Sequence, residues 1–275
     1  MESTLNEIFD WYKKEKDNLK KKKCDINFVK KLISDNYDEL LKTTLVYQDN
    51  YDLKDYLIMH STYSCSIMMK LANMYDFKKE DTINSGIAGL LHDIGMFFIP
   101  EEIYFSENKL TEAELEVIRK HPEDGMLYLL NFSDISSKTI SAVYEHHERL
   151  DGSGYPRKLK DREISFMGKM LQIADVYDAL SRRREYREGY FAQELLRRLA
   201  FMTHTSLNGD ILKKFLEFFP VYPISKKVLL SNNETYEITG RGSNPFRPIV
   251  ENQNGKIDLN DQEFWNMYIV EVVNQ

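Results

Sequence analysis

The chain has 275 residues, of which 42% are hydrophobic and 29% are charged, and its formal net charge is -7. This length allows one sizeable core with appendages or two modest domains. The acidic balance argues against nucleic-acid binding, which needs a dominant basic surface. No apolar run is long enough to cross a membrane, and the N-terminus lacks the apolar stretch of a signal peptide, so we expect a cytoplasmic protein. Two cysteines, Cys24 and Cys65, are too few for a disulfide framework or a thiolate metal cluster.

The predicted elements fall into three segments. Residues 1–50 carry apolar side chains at helical spacing on a polar background, which predicts an N-terminal helical segment. Residues 51–220 form a series of helical stretches with proline and glycine between them, which predicts a helical catalytic domain. Residues 221–275 mix short apolar runs with Asn-Asn, Asn-Pro and Asn-Gly turn signals, which predicts a small β-rich extension. The expected fold class is therefore mainly α, with a small β-rich C-terminal segment.

The N-terminal segment contains a lysine-rich stretch at residues 13–23. A solvated helical face is the simpler interpretation of such a charge run. A helical dimer contact in this segment, which would make the protein a homodimer, is a further hypothesis.

Side chains that can bind metals interrupt or border the apolar stretches of the helical domain. The segment SGIAGLLHDIGM, for example, has an apolar helical stripe, so its His-Asp pair comes at the end of a buried helix. Buried polar groups need a hydrogen bond, an ion pair or a bound cation. Each of these polar residues alone is explained as a core residue with a satisfied hydrogen bond. Together they favour one metal centre to which several helices each contribute a ligand. The candidate ligands are His60, His92, Asp93, His121, His146, His147 and Asp175. His204 lies outside this pattern, and we interpret it as structural or surface.

Seven nitrogen and oxygen ligands exceed what one catalytic ion takes, because such an ion keeps a position open. We therefore predict two ions, with Asp93 as the bridging candidate because a carboxylate has two oxygens. Iron, manganese, nickel, cobalt and zinc all suit this donor set. Two ions that share a hydroxide are suited to in-line attack on a phosphoester. Arg184 and Arg187 lie three residues apart on a predicted helix, hence on one face, and we predict that they bind substrate phosphate.

The stretches LLHDIGMFFIPEEI, YEHHERLDGSGYP and QIADVYDALSRRREYR resemble the HD-GYP domain family, bacterial hydrolases of cyclic di-GMP within the HD superfamily of metal-dependent phosphohydrolases. The resemblance runs from about Ile26 to about Leu259. It implies an HD-type helical bundle, the seven ligands named above, Asp93 as the bridge, and iron or manganese as the two ions. It implies that His92 and Asp93 are catalytic and that Arg184, Arg187 and Tyr155 contact substrate. The loop of Gly154, Tyr155 and Pro156 is implied to form the lip of the site and to contact diguanylate cyclase (GGDEF) domains.

Two positions depart from the family pattern. Where the family usually reads HDIGK, this chain has Met96, which cannot supply the charge of the lysine that reaches substrate phosphate. Four residues before His60, where members with a third ion carry glutamate, this chain has Tyr56. The resemblance therefore implies two ions rather than three.

The favoured function is a phosphodiesterase that opens cyclic di-GMP to linear pGpG, with further cleavage to GMP left open. Met96 favours an alternative, a catalytically weak or inactive cyclic di-GMP receptor or interaction module. A third hypothesis is an HD hydrolase of another cyclic dinucleotide or of a nucleoside monophosphate.

Overall fold

The structure is a computed structural model, and it describes residues 3–20, 25–42, 55–106, 108–181, 198–199, 201–203, 205–218, 222, 225–244 and 246–273. Predictions for Cys24, Arg184, Arg187 and His204 lie outside these residues. The chain divides into two compact units. One unit consists of Met1–Arg182 with Thr205–Asn208, and the other consists of Arg183–His204 with Gly209–Gln275.

The first unit is helical. Its α-helices are α1 (Ser3–Lys20), α2 (Ile26–Asp35), α3 (Tyr37–Lys42), α4 (Tyr56–Met74), α5 (Lys79–Leu91), α6 (Glu101–Tyr104), α7 (Glu112–Ile118), α8 (His121–Leu129), α9 (Ser137–Glu145) and α10 (Phe166–Ser181). Short 3-10 helices follow α5 at Ile94–Phe98 and precede α10 at Asp161–Glu163. The prediction of a mainly α fold is confirmed.

Helix α1 buries an apolar face in the same core as the later helices. Leu5, Ile8, Trp11 and Tyr12 recur at helical spacing and are at most 7% exposed. They belong to one apolar cluster that also takes side chains from α4, α5, α8 and α9. Burial of a large apolar side chain contributes about 1.5–3 kcal/mol, so α1 is anchored to the helical core. A dimer contact through α1 would therefore use the polar face of this helix, because its apolar face is buried within the protomer.

Helices α4 and α5 pack closely, and Gly89 of α5 makes this possible. A Cβ atom at Gly89 would collide with the backbone of Ser64 and Cys65 in α4. This close contact brings His60 of α4 next to the end of α5. Cys65 is buried and makes no disulfide, and burial raises the pKa of its thiol to about 12.

The second unit contains helix α11 (Gly209–Phe218) and a five-stranded sheet. The strands are β1 (Lys227–Leu230), β2 (Thr235–Gly240), β3 (Ile249–Asn252), β4 (Gly255–Asp258) and β5 (Ile269–Val273), in the order β4-β3-β2-β1-β5. All neighbouring strands are antiparallel; Val228 of β1, for example, lies opposite Tyr236 of β2 and Val272 of β5. The predicted small β-rich C-terminal segment is confirmed.

Within the part of the chain that the structure describes, no helix combines the length and the apolar character that a membrane span requires.

Candidate metal centre

Three histidines stand at helix ends, where each orients its ring with a backbone carbonyl. His92 is the C-cap of α5, His121 is the first residue of α8, and His146 is the C-cap of α9. In each, Nδ1 lies 2.6–2.8 Å from the carbonyl oxygen three residues earlier. The last carbonyls of a helix have no partner within it, so they are free to accept this bond. An Nδ1–H that donates to a carbonyl leaves Nε2 with an exposed lone pair, the state of a metal ligand.

His60 lies inside α4, where backbone carbonyls accept helical hydrogen bonds, and its ring is held by α10 instead. Its Nδ1 lies 2.6 Å from Oδ2 of Asp178. Its Nε2 lies 3.2 Å from Oδ1 of Asp175. Asp175 and Asp178 are three residues apart in α10 and therefore share one face of that helix. Two carboxylates of one helix thus hold both ring nitrogens of His60.

The two oxygens of Asp93 face different pairs of histidines. Oδ2 lies 3.4 Å from Nε2 of His92 and 3.8 Å from Nε2 of His60. Oδ1 lies 3.2 Å from Nε2 of His121 and 3.6 Å from Nε2 of His146. Within each pair the two Nε2 atoms are 3.1 Å apart. Asp93 therefore stands between two sets of nitrogen donors.

The remaining two candidates complete the cluster. His147 groups with Asp93, His121 and His146, while His60 and His92 group with Asp93, and the candidate ligand atoms within each group lie within 4.8 Å of one another. Oδ2 of Asp175 lies 3.9 Å from Nδ1 of His147, so its two oxygens face His147 and His60. The structure thus brings together all seven residues that the sequence singled out as ligands.

The donor geometry fits divalent cations. In His121 and His146 each Nδ1 is engaged with a backbone carbonyl, so each ring presents the lone pair of its Nε2, and the two Nε2 atoms lie 3.1 Å apart. Two lone pairs at this distance repel unless a positive species lies beside them. Imidazole with carboxylate is a donor set for transition-metal ions. A cation in each of the two groups, with Asp93 shared, satisfies every one of these donors.

The electrostatics of the cluster prepare most ligands for a cation. Burial lowers the pKa of His92 to about 4. Burial and the neighbouring His146 hold the pKa of His147 well below its usual value. Burial alone would raise the pKa of Asp93, but the neighbouring imidazoles of His92, His121 and His146 hold it well below the usual range. At neutral pH the rings of His92 and His147 are therefore uncharged and Asp93 is ionised, as metal ligation requires.

His60 behaves differently in the metal-free cluster. Burial alone would lower the pKa of His60, but the hydrogen bonds to Asp175 and Asp178 hold it well above its usual value. Burial likewise opposes ionisation of Asp175, yet the hydrogen bond from His60 and the positive charge that His147 takes up at low pH lower the pKa of that carboxyl. A cation that binds His60 must therefore displace a proton from its ring.

The glycine-rich loop after the two histidines is held by a buried carboxylate. Oε1 of Glu148 accepts a hydrogen bond from the backbone N–H of Arg157 at 2.6 Å, and Oε2 accepts one from Leu159 at 2.9 Å. Glu148 is fully buried, so these bonds form away from water. This carboxylate, with its two amide donors, therefore holds the returning arm of the loop at the end of α9.

The same loop covers His147. The backbone N–H of Tyr155 donates to the carbonyl of His147 at 3.1 Å, and the two rings stack with centroids 4.7 Å apart. Gly154 is buried, and a Cβ atom there would collide with the backbone of Glu148 and Arg149. Close packing therefore requires glycine at position 154. The Tyr155-Pro156 peptide bond in the same loop is cis.

A family model for the HD domain matches residues 27–211 of this chain. The chain belongs to the HD domain family. The resemblance to the HD-GYP group, inferred from its motifs, is confirmed.

Curated relatives of this HD domain include cyclic dinucleotide phosphodiesterases. A cyclic di-GMP phosphodiesterase of Pseudomonas aeruginosa is 34% identical over 178 residues, which cover 65% of this chain and 43% of that protein. The 3'3'-cGAMP-specific phosphodiesterase 1 of Vibrio cholerae is 32% identical over 160 residues, which cover 58% of this chain and 37% of that protein. The matches thus span less than half the length of these two relatives.

A solved structure shares the fold of the HD domain. The HDG"Y"P protein Bd1817 of Bdellovibrio bacteriovorus superimposes with a TM-score of 0.61 at 16% identity, covering 77% of this chain and 69% of that one. At this identity the likeness concerns the fold alone.

The two departures from the HD-GYP pattern lie beside the ligands. Met96 is half-buried in the 3-10 helix after α5, and its N–H bonds to the carbonyl of Asp93 at 2.9 Å. Tyr56 is the first residue of α4, and its ring lies parallel to that of His60 with centroids 5.9 Å apart. Neither residue offers a charge at its position.

Sequence reasoning missed two residues of this HD domain, Asp178 and Glu148. A signal existed for each, since Asp178 follows Asp175 by one helical turn and Glu148 follows the two histidines directly. The sequence does not distinguish either from a solvated carboxylate, because Asp178 contacts a ligand ring and Glu148 contacts loop amides only once the chain is folded. Arg184 and Arg187, predicted to bind substrate, lie outside the described residues.

Proposed function

We propose that this HD domain hydrolyses a phosphodiester bond of a cyclic dinucleotide, with cyclic di-GMP as the favoured substrate and linear pGpG as the first product. The observation that carries the proposal is the position of Asp93, whose two oxygens each face one pair of histidine nitrogens. This arrangement suits two ions with one shared carboxylate. The turnover assay described below also measures whether pGpG is cleaved further to GMP.

The proposed roles of the residues follow from their positions. His60, His92 and Asp175 would hold one ion, His121, His146 and His147 would hold the other, and Asp93 would serve both. When bound, the two ions lower the pKa of the attacking water and neutralise charge on the phosphoryl oxygens. The depressed pKa of Asp93 keeps its carboxylate ionised for that role. Iron and manganese are the proposed ions, and Tyr56 in place of a glutamate supports two ions rather than three.

Substrate contacts are proposed for the residues around this pair. Tyr155 covers His147 at the edge of the cluster, and burial raises the pKa of its hydroxyl, which therefore stays protonated as a donor. Arg184 and Arg187 are proposed to pair with the nonreacting phosphate through their planar guanidinium groups. Met96 is proposed to face the same region without supplying a charge.

The preference for cyclic di-GMP rests on the Pseudomonas relative, whose printed name gives that substrate. The Vibrio relative is nearly as similar and is named for 3'3'-cGAMP, which supports a second candidate substrate. The two nucleotides share the cyclic phosphodiester backbone and differ in one base. Direct comparison of both nucleotides on the same protein decides between them.

A second candidate function is a cyclic di-GMP receptor that binds the nucleotide without turning it over, and Met96 favours it. Met96→Lys restores the charge that the HD-GYP pattern carries. If Met96 limits turnover, this variant raises kcat/KM by about 10- to 150-fold, because a charge-assisted hydrogen bond contributes about 1.5–3 kcal/mol. A variant that binds and hydrolyses no better than the natural chain indicates that Met96 does not limit the reaction.

Contact with a diguanylate cyclase domain is also proposed for the Gly154–Pro156 loop. Gly154 is buried and Tyr155 stacks on His147, while the neighbouring Arg157 and Lys158 are exposed. We therefore place the proposed contact on these two basic side chains. Loss of cyclase-domain binding in Arg157→Ala and Lys158→Ala, with hydrolysis retained, supports this placement.

The test uses anaerobically purified protein loaded with Fe²⁺ or Mn²⁺ and incubated with cyclic di-GMP, 3'3'-cGAMP or a nucleoside monophosphate. We expect cyclic di-GMP to be opened to pGpG by the natural chain and to stay intact with Asp93→Ala. Asp81→Ala is the matched control, since Asp81 is a partly exposed carboxylate paired with Lys138 at 2.9 Å and belongs to neither group of candidate ligands. Intact cyclic di-GMP after long incubation with both metals contradicts the proposal. Tight binding without product, measured by calorimetry, instead indicates the receptor.

A further inference from the structure

Two kinds of support orient the four histidines whose Nε2 atoms face Asp93. Three of them stand at helix ends and use a carbonyl of their own helix or of the one just before. His60 stands inside α4, so the carbonyls of its own turn are engaged in the helix. A histidine placed inside a helix must therefore take its orienting acceptor from another element.

Asp178 supplies that acceptor. Its Oδ2 lies 2.6 Å from Nδ1 of His60, and both side chains are buried, with Asp178 fully so. A carboxylate in this position accepts the Nδ1–H, fixes the tautomer that leaves Nε2 as the donor, and increases the basicity of that nitrogen. Burial of a carboxylate costs free energy unless hydrogen bonds or ion pairs compensate for the lost water. We therefore expect the buried Asp178 to have a role.

Helix α10 carries both a candidate metal ligand, Asp175, and the residue that orients another ligand, Asp178. Asp175 faces Nε2 of His60 and Asp178 faces Nδ1, and the two are separated by one turn of α10. The same rigid helix therefore places a candidate ligand and the support of another ligand. A change at position 178 is expected to affect the ion near His60 and to leave the ion near His121 and His146 in place.

We propose that Asp178 is a positioning residue that orients His60 for one of the two ions. This inference rests on the metal centre of the proposed function but on none of its substrates. An alternative role is purely structural, in which Asp178 compensates the buried ring of His60 and has no part in ion binding. The two roles differ in what happens to ion affinity.

The experiment measures binding of Mn²⁺ alone, in the absence of nucleotide, by the electron paramagnetic resonance signal of the free ion. The full chain is stripped of metal and titrated as the natural sequence and as Asp178→Ala. We expect one Mn²⁺ to bind about 10- to 100-fold more weakly in Asp178→Ala, the usual loss when such a support is removed, while the other changes by less than about 3-fold. Equal weakening of both ions, or no weakening, overturns the proposal.

A double-mutant cycle assigns the affected ion. In a His121→Ala background, which disables the other group, Asp178→Ala should still weaken the remaining ion about 10- to 100-fold. In a His60→Ala background it should add less than about 3-fold, because the ring that Asp178 orients is gone. Additive losses in both backgrounds overturn the proposal.

Two further variants separate a positioning role from a loss of fold. Asp178→Asn keeps an oxygen that can accept the Nδ1–H and lacks the charge, so it should lose less affinity than Asp178→Ala at the same ion. It carries the test if Asp178→Ala does not fold, as judged by circular dichroism. Asp161→Ala is the matched control, because Asp161 contacts α10 through Lys169 at 2.6 Å and is exposed, and it should bind both ions normally. Because no nucleotide is present, the result is independent of whether cyclic di-GMP is hydrolysed.

Discussion

The phenol ring of Tyr155 stacks on the imidazole ring of His147, with the ring planes 28° apart and the centroids 4.7 Å apart. This contact links the glycine-rich loop to the metal centre directly. His147 has no carbonyl bond of the kind that orients His92, His121 and His146 among the contacts described. The aromatic contact is therefore expected to limit the motion of its ring.

Replacement of Tyr155 tests this contact. Tyr155→Phe keeps the stacked ring and should retain Mn²⁺ affinity, while Tyr155→Ala frees the ring of His147. We expect Tyr155→Ala to lower turnover of cyclic di-GMP by about 10-fold, which corresponds to about 1.4 kcal/mol. Equal activity of the alanine and phenylalanine variants would indicate that the stack has no such role. A drop of similar size in both variants would instead point to the hydroxyl, which both lack, as a substrate contact.

Glu148 offers a test of how the loop is held. Its two oxygens accept from the backbone N–H groups of Arg157 and Leu159, so Glu148→Gln turns one acceptor into a donor that faces a donor. A buried unsatisfied amide costs about 1–3 kcal/mol, and we expect a loss of that size in the free energy of unfolding. Urea denaturation measures it. Glu163→Gln is the comparison, since Glu163 accepts from the exposed backbone N–H of Lys160 and should cost less than about 1 kcal/mol. Equal losses for the two variants would contradict the role given to Glu148.

The opposite pKa shifts of the histidines predict a pH optimum for the stability of the metal-free protein. An unfolded histidine titrates near a pKa of about 6.5. Because the pKa of His92 falls to about 4 in the folded protein, the unfolded chain takes up more protons between these values, and stability is lost as the pH falls from about 6.5 to about 4. The raised pKa of His60 acts in the other direction, since its contribution is complete below about 6.5 and is lost as the pH rises through the raised value.

Thermal unfolding in the presence of a chelator should therefore give the highest midpoint temperature within about one pH unit of pH 6.5. With saturating Mn²⁺ the optimum should move to higher pH, because binding requires the His60 ring to lose its proton. A midpoint of the metal-free protein that rises steadily from acid to alkaline pH would show that His60 does not hold a raised pKa.

Much of the centre could be predicted from the sequence, because the ligands are of chemically distinctive types. His92-Asp93 ends a buried apolar helix and His146-His147 precede a glycine-rich turn, which mark these positions without any coordinates. The spacing cannot show which oxygen of Asp93 faces which ring, because that depends on how α4, α5, α8 and α9 pack.

Asp178 shows why the supports were harder to predict. An aspartate in the last turns of a helix is common on solvated surfaces, and its burial follows from packing of α10 on α4.

The apolar face of α1 is visible in the sequence, since Leu5, Ile8 and Tyr12 recur at helical spacing. The high lysine content of the segment made the polar face more conspicuous.

The shared role of Asp93 is tested most directly by the anomalous scattering of a crystal of the Mn²⁺-loaded protein. We expect two manganese peaks about 3.5–4 Å apart, one on each side of the Asp93 carboxylate, with His60 and His92 at one peak and His121 and His146 at the other. A single peak, or two peaks that do not share Asp93, would contradict this role.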